Sequence, residues 1–91
     1  MLSNYDKKFS DSKMKITSRS IAMITLDECA RMCNEELRFE CLTFDFCYVS
    51  GECRLSLNFT TSNDIMADGQ CDVYESNKNK KFISIEFRFV T

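Results

Sequence analysis

The sequence predicts an α+β domain in which one α-helix packs on a small antiparallel β-sheet and disulfide bonds link the two. Three observations support this fold class. One stretch with helical periodicity follows a helix-capping pattern, several short stretches alternate apolar and polar residues as strands do, and six cysteines occur within 91 residues. A chain of this length forms a single small core, which cross-links can supplement.

The helix has the clearest local signal. Thr25 is followed three residues later by Glu28, the pattern of a capping box, so we expect a helix to begin at Leu26. Apolar residues then recur at spacings of three and four, which places them on one stripe facing the sheet. The stripe comprises Leu26, Cys29, Ala30, Cys33 and Leu37.

Strands are expected on both sides of this helix. Residues 1–24 alternate apolar and polar side chains and are expected to contain one or two short strands. The aromatic and threonine content of residues 39–48 predicts a strand with both faces buried. A turn at 49–52 joins it to residues 53–57, so the two segments are expected to form a hairpin.

The C-terminal third is expected to contribute two further strands. Residues 60–70 are polar and irregular, and 71–75 form a short strand. Residues 82–90 alternate strictly between apolar and polar, which predicts a half-buried strand. We therefore divide the chain into a domain core, 5–77, and an additional C-terminal strand segment, 78–91, that belongs to the same domain.

The cysteines indicate an extracellular location. An even number at close spacing is typical of small disulfide-linked domains in an oxidising compartment. Zinc is the alternative interpretation, but the chain has no C-x-x-C pair and no histidine. The motif Asn58-Phe59-Thr60 agrees with secretion and makes Asn58 a candidate glycosylation site. These spacings leave the disulfide pairing open.

The composition excludes several classes of function. Without histidine there is no Ser/His/Asp or Cys/His catalytic arrangement, so we expect no enzyme activity and no cofactor. No apolar run approaches the roughly 20 residues of a membrane-spanning helix. The isoelectric point near 5.1 disfavours nucleic-acid binding. Asp64, Asp68 and Asp72 lack the spacing of a calcium loop, so we expect no metal site.

Four motifs carry a resemblance to a known family. They are Cys29-Ala30-Arg31-Met32-Cys33, Cys41-Leu42-Thr43-Phe44-Asp45-Phe46, Gly51-Glu52-Cys53-Arg54-Leu55-Ser56 and Asp72-Val73-Tyr74-Glu75. In this order they resemble the PAN/apple superfamily over about residues 13–77. The pattern looks most like the amino-terminal domains of hepatocyte growth factor and plasminogen. The resemblance implies the hairpin-loop-containing fold of that family.

The resemblance also implies two of the disulfides directly, and the two remaining cysteines then form the third. By the family pattern each cysteine of the helix bonds to one strand of the hairpin, which leaves two cysteines to pair with each other. The resulting pairs are Cys29 with Cys53, Cys33 with Cys41, and Cys47 with Cys71. The last pair departs from the family, because the additional bridge of apple domains joins the two ends of the domain.

By this resemblance the chain is a non-catalytic extracellular interaction module that binds a protein or carbohydrate ligand. Such a module belongs to a larger secreted or membrane-anchored protein, with the extracellular matrix as one setting. A structural or self-association module is the first alternative, since the strand at 82–90 is able to pair with a second copy if it lies at a sheet edge. We expect no nucleic-acid partner and no membrane insertion.

Glycosaminoglycan binding is the second alternative, and it depends on how the charges are distributed. Residues 1–25 hold five basic and two acidic side chains, a net charge of +3, whereas residues 26–75 hold three basic and eleven acidic ones, a net charge of −8. A basic edge would attract sulfates. Its candidate residues are Lys13, Lys15, Arg19 and Arg31. The acidic stretch Cys33-Asn34-Glu35-Glu36 opposes this interpretation.

Overall fold

The computed structural model describes residues 2–77. Within them lie one α-helix, α1 (Leu26–Glu35), and two one-turn 3₁₀ helices, Leu2–Asn4 and Ser62–Asp64. The strands are β1 (Tyr5–Phe9), β2 (Ser12–Met14), β3 (Arg19–Ile21), β4 (Thr43–Cys47), β5 (Glu52–Ser56), β6 (Ile65–Ala67) and β7 (Cys71–Ser76). The predicted α+β class with one helix on an antiparallel sheet is confirmed. The strand expected within 78–91 lies outside the described residues.

The main sheet has five antiparallel strands in the order β1-β7-β4-β5-β3. β4 and β5 form the predicted hairpin, with Phe44 opposite Leu55 and Asp45 opposite Arg54. On its other side β4 pairs with β7, which places Tyr74 opposite Phe44. β4 is therefore the central strand. All five of its residues are buried, as the sequence predicts.

The helix begins where the capping box places it. The Thr25 hydroxyl accepts a hydrogen bond from the Glu28 N–H at 3.2 Å, and the Glu28 carboxylate accepts one from the Thr25 N–H at 2.9 Å. The expectation for Leu37 was wrong, because the helix ends at Glu35 and Glu36 is extended. The chain turns there, and Leu37 is 95% exposed instead of continuing the stripe.

The core lies between the helix and one face of the main sheet. The ring of Phe44 stacks on Tyr74 with their centroids 5.0 Å apart, and Tyr5 contacts Phe44 edge-on at the same distance. Cys29 and Ala30 approach this cluster from the helix, and both are fully buried. Burial of these apolar groups stabilises the helix on the sheet, because a single helix of ten residues is marginal in water.

The opposite face of the main sheet is covered by a second, two-stranded sheet that the sequence analysis did not predict. β2 pairs with β6, so the segment 60–70 is less irregular than expected. The N-terminal segment also contributes three strands rather than one or two. Met14 of β2 is 1% exposed, and its N–H donates to the Asp45 carboxylate at 2.8 Å. The domain therefore has three layers.

β4 is shorter than the sequence predicted. A strand was expected over 39–48, but the ladder covers only Thr43–Cys47. Cys41 precedes it and is held by a disulfide to the helix, whereas Tyr48 begins the turn to β5. Loops therefore occupy both ends of the predicted strand.

Candidate functional site

A groove of about 400 Å3 opens on the surface between two connecting segments. One wall is the link from β2 to β3, residues 15–18. The other wall is the last residue of β5 and the link from β5 to β6, residues 56–64. The lining residues are Lys15, Ile16, Thr17, Ser18, Ser56, Asn58, Phe59, Thr60, Asn63 and Asp64. Its volume falls in the range of small-ligand sites, about 300–1,000 Å3.

Backbone hydrogen bonds fix both walls of the groove. The Lys15 N–H donates to the Asp64 carbonyl at 2.8 Å, which ties the two walls together at one end. At the other end the Ser18 N–H donates to the Leu55 carbonyl at 2.7 Å. The Thr43 hydroxyl of the central strand donates to the Asn58 carbonyl at 2.8 Å. The groove is thus anchored to the sheet, as a preformed binding site is.

The surface of the groove mixes apolar walls with amide groups. Ile16 is 84% exposed on one side and Phe59 is 37% exposed on the other. Both are large apolar side chains that contact solvent at the groove. Asn58 and Asn63 are exposed beside them. Their carboxamides provide hydrogen-bond donors and acceptors next to apolar surface.

The two charged residues of the groove have opposite signs. Lys15 contributes a positive charge and Asp64 a negative one, so the lining is formally neutral at pH 7. The N–H and hydroxyl of Thr61 donate to the Asp64 carboxylate at 2.8 and 3.0 Å. These hydrogen bonds lower the pKa of Asp64, which is therefore ionised at neutral pH.

Thr60 at the floor of the groove has an unusual environment. The residue is 4% exposed, and its hydroxyl oxygen has no hydrogen-bond partner among residues 2–77. Its backbone carbonyl, in contrast, accepts a hydrogen bond from the Lys8 ammonium. Buried polar side chains nearly always have a partner, because leaving one unpaired costs free energy.

The four candidate residues of the basic edge lie on β2, directly after β2, on β3 and on α1. Lys13 forms an ion pair with Asp68 at 3.4 Å in the small sheet. Arg19 lies on β3, at the edge of the main sheet opposite β1. Lys15 lines the groove instead.

The two arginines of this set are also paired with acidic neighbours. Arg19 contacts Glu36 at 2.8 Å, and Arg31 contacts Glu35 one helical turn away at 3.3 Å. The Arg19 hydrogen bond lowers the pKa of Glu36 to about 2. Three of the four candidate residues thus have a carboxylate partner within 4 Å, which reduces their attraction for sulfates.

All six cysteines form disulfides in the pairs that the resemblance implies. Cys29–Cys53 and Cys33–Cys41 link the helix to the hairpin and to the segment before β4. The third bond joins β4 to β7 at Cys47 and Cys71, which are also opposite each other in the strand register. This third bond holds the start of β7 and so the end of the long β5–β7 connection.

A buried ion pair that was not predicted from the sequence connects the two sheets. Asp45 is fully buried, and Arg54 donates to its two carboxylate oxygens at 3.0 and 2.7 Å. Arg54 also donates to the Met14 carbonyl at 2.7 Å. Burial raises the pKa of the Asp45 carboxyl, and the bonds from Arg54 and the Met14 N–H act against that shift. The opposite charges of Asp45 and Arg54, on the two strands of the predicted hairpin, could have indicated this ion pair from the sequence.

Two further findings apply to residues 2–77. No cluster of three or more His, Cys, Asp or Glu side chains within that range is arranged to hold a metal ion. None of the helices found there has the length and apolar character needed to cross a membrane. A smaller cavity of about 170 Å3 near the end of the helix is lined by the acidic residues Glu36 and Glu40.

Comparison with known families agrees with the fold and the disulfides. A family model described as the PAN domain matches residues 5–78. The chain belongs to the PAN family. PAN domains are non-catalytic modules that bind proteins or carbohydrates within larger proteins. A PAN domain with three disulfides is typical of extracellular proteins and ectodomains. A search of curated proteins finds no match to the chain.

Proposed function

We propose that this PAN domain is a ligand-binding module in the extracellular part of a larger protein, and that the groove is its ligand-binding site. The observation that carries the proposal is the lining itself. Exposed Ile16 and Phe59 face solvent beside the carboxamides of Asn58 and Asn63, on walls that hydrogen bonds fix to the sheet. The two apolar side chains among polar lining residues offer a ligand both apolar contact and hydrogen bonds, the two kinds of interaction that a ligand-binding site uses.

The charge of the groove indicates which ligands suit it. Lys15 and Asp64 balance each other, so a strongly anionic chain gains little there. Neutral ligands do not depend on a net charge in the groove and therefore suit it better. A sugar ring has apolar C–H faces and several hydroxyls, and a short peptide has apolar side chains and backbone amides. Both kinds of ligand match a lining of Ile16, Phe59, Asn58 and Asn63.

Heparin binding through Lys13, Lys15, Arg19 and Arg31 stays a prediction. The ion pairs to Asp68, Glu36 and Glu35 weaken the case for it, because a sulfate must compete with each carboxylate. Self-association also stays a prediction. Its expected strand at 82–90 lies outside the described residues, and sedimentation of the isolated chain tests it.

The test uses the chain produced with its disulfides in bacteria, so that Asn58 is unmodified. Two libraries serve as probes: an array of neutral and sulfated glycans that includes heparin, and a displayed library of short peptides. The groove variant replaces Ile16 with Ser and Asn63 with Ala, both exposed positions. The control variant replaces Lys13, Arg19 and Arg31 with Ala, which removes the three candidate residues of the basic edge that lie outside the groove.

We expect neutral glycans or peptides to bind the wild type. The same ligands are expected not to bind the groove variant and to bind the control variant as they bind the wild type. A salt series distinguishes heparin binding from binding in the groove, since binding through sulfate charges weakens steeply as the salt concentration rises. Ligands that bind the groove variant as well as the wild type would overturn the assignment of the site. Salt-sensitive heparin binding lost only in the control variant would favour the basic residues instead.

A further inference from the structure

We propose that Asn58 carries an N-linked glycan in the secreted protein, and that the first sugars of this glycan lie in the groove, so that only chains with an unmodified Asn58 present an open groove to a ligand. The inference that the glycan blocks ligand binding rests on the proposed function of the groove. Attachment of the glycan and its position do not, because both are measurable without any ligand. The proposal depends on the surroundings of Thr60, Asn58 and the two apolar walls.

The first step concerns the hydroxyl of Thr60. This residue is almost fully buried, and its hydroxyl has no partner among residues 2–77. Valine would fill nearly the same space without an unpaired polar atom, so packing gives no reason for a threonine here. The glycosylation motif does give one, because it requires Ser or Thr two residues after the acceptor asparagine. The hydroxyl that residues 2–77 leave unpaired is the one that modification of Asn58 needs.

The second step concerns where a sugar on Asn58 must lie. The Asn58 N–H donates to the Ser56 hydroxyl at 3.1 Å, and its carbonyl accepts from the Thr43 hydroxyl at 2.8 Å. The backbone is therefore fixed, while the side chain is exposed and lines the groove. A sugar attached to its amide nitrogen therefore starts at the groove.

The third step concerns what the sugar would contact. Ile16 is 84% exposed and Phe59, next to the acceptor, is 37% exposed. The C–H faces of an N-acetylhexosamine pack against such apolar groups and remove them from water. A groove of about 400 Å3 has room for such a ring. The attached glycan thus occupies the same walls that a free ligand would use.

The chemical step is a group transfer with no change of oxidation state. The carboxamide nitrogen of Asn58 attacks the anomeric carbon of a lipid-diphosphate-linked oligosaccharide supplied by the secretory pathway. A C–N bond forms, the C–O bond to the diphosphate breaks, and the amide nitrogen loses one proton to a base of the transferase. Because the Thr60 hydroxyl is buried once the domain has folded, this transfer precedes folding.

The experiment compares three forms of the full chain secreted from a eukaryotic host. The wild type and Thr60→Ser keep the motif, whereas Thr60→Val removes it and leaves Asn58 in place. Intact mass reports attachment, and an endoglycosidase then trims the glycan to one sugar. Acetylation of lysines by an activated ester reports position, since Lys15 lines the groove and Lys7 on β1 does not.

We expect a glycan on the wild type and on Thr60→Ser and none on Thr60→Val. With one sugar left, acetylation of Lys15 is expected to be several-fold slower than in Thr60→Val, with Lys7 unchanged. An unmodified secreted wild type overturns the proposal. Equal acetylation of Lys15 in both forms overturns the placement of the sugar.

Ligand binding tests separately whether the glycan blocks the groove. Ligands selected on the bacterial chain are expected to bind Thr60→Val and to bind the glycosylated wild type at least several-fold more weakly. Equal binding to both would overturn closure of the groove while leaving the proposed function intact. If no ligand binds the unmodified chain, the proposed function fails, and mass and acetylation still decide whether the glycan is present in the groove.

Discussion

Arg54 holds the fully buried carboxylate of Asp45 with two hydrogen bonds, at 3.0 Å from Nε and 2.7 Å from Nη2. The same guanidinium reaches the Met14 carbonyl at 2.7 Å. Since the Asp45 carboxylate also accepts from the Met14 N–H, the pair connects the hairpin to the small sheet. One wall of the groove begins at Lys15, directly after that contact.

The first prediction is that Arg54→Met destabilises the domain by about 3–5 kcal/mol, because it removes the cation that pairs with the buried Asp45 charge and leaves, among residues 2–77, only the Met14 N–H to hold it. Urea denaturation of the oxidised protein measures the effect. Arg38→Met serves as the control, since that side chain is 70% exposed and its loss is expected to change the free energy of unfolding by less than about 0.5 kcal/mol. A loss below about 1 kcal/mol for Arg54→Met would contradict the account of the pair.

The second prediction concerns the pH dependence of stability. The hydrogen bond from Arg19 lowers the pKa of Glu36 from 4.5 to about 2 in the folded protein. The folded state therefore prefers the ionised form, and its contribution to stability is present above pH 4.5 and lost as the pH falls toward 2. Glu36→Gln is expected to flatten the curve of urea midpoint against pH in that window.

The control for this pH measurement is Glu40→Gln, which removes an exposed carboxylate a few residues away. It is expected to leave the slope between pH 4.5 and 2 close to that of the wild type. Arg19→Gln is expected to reproduce the flattening, because it removes the group that lowers the pKa of Glu36. An unchanged slope in Glu36→Gln would show that other carboxylates account for the acid dependence.

Local signals in the sequence were sufficient for the helix, the hairpin and β7. The helix start at Leu26 follows from Thr25 and Glu28 alone, since a capping box involves residues within one turn. The hairpin follows from alternation on both sides of one turn. The end of the helix was missed, because Leu37 continues the apolar spacing while the extended Glu36 redirects the chain.

The small sheet and the groove depend on contacts between distant segments. β2 and β6 have three residues each and pair across about fifty positions, which gives too short a pattern to detect. The groove arises because the link from β2 to β3 lies beside the β5–β6 connection, and these two segments are about forty residues apart in the sequence. Lys15 was selected for its charge and proved to line the groove, whereas Ile16, Phe59 and Asn63 were not selected.

The third prediction compares the disulfides. Cys29–Cys53 closes a separation of 24 residues and Cys33–Cys41 one of 8. On the loop-entropy model their removal costs about 3.4 and about 2.5 kcal/mol respectively. Guanidinium denaturation of the two double alanine variants measures the difference. If removal of Cys33–Cys41 lowers the free energy of unfolding more than removal of Cys29–Cys53 does, the losses reflect packing around the sulfurs instead of loop closure.

The fourth prediction concerns the tip of the hairpin. Gly51 has a positive φ of 67°, and a Cβ there would lie 3.0 Å from the Ile24 carbonyl oxygen. Gly51→Ala is therefore expected to destabilise the domain by about 1 kcal/mol or more. Gly69→Ala is the matched control, because nothing lies within 4 Å of its added Cβ, and we expect it to be nearly neutral. Thermal unfolding of both variants decides, and equal stabilities would contradict the strain at Gly51.

The fifth prediction separates the hydroxyl of Thr60 from its methyl group. Thr60→Val removes a buried hydroxyl that has no partner among residues 2–77, so we expect it to raise the free energy of unfolding by about 1 kcal/mol. Thr60→Ser keeps the hydroxyl and removes the methyl, so a loss of about 1 kcal/mol is expected. Both are measured on bacterial protein, where no glycan contributes. If Thr60→Val destabilises the domain, the hydroxyl has a structural partner, and the argument that connects it to Asn58 fails with it.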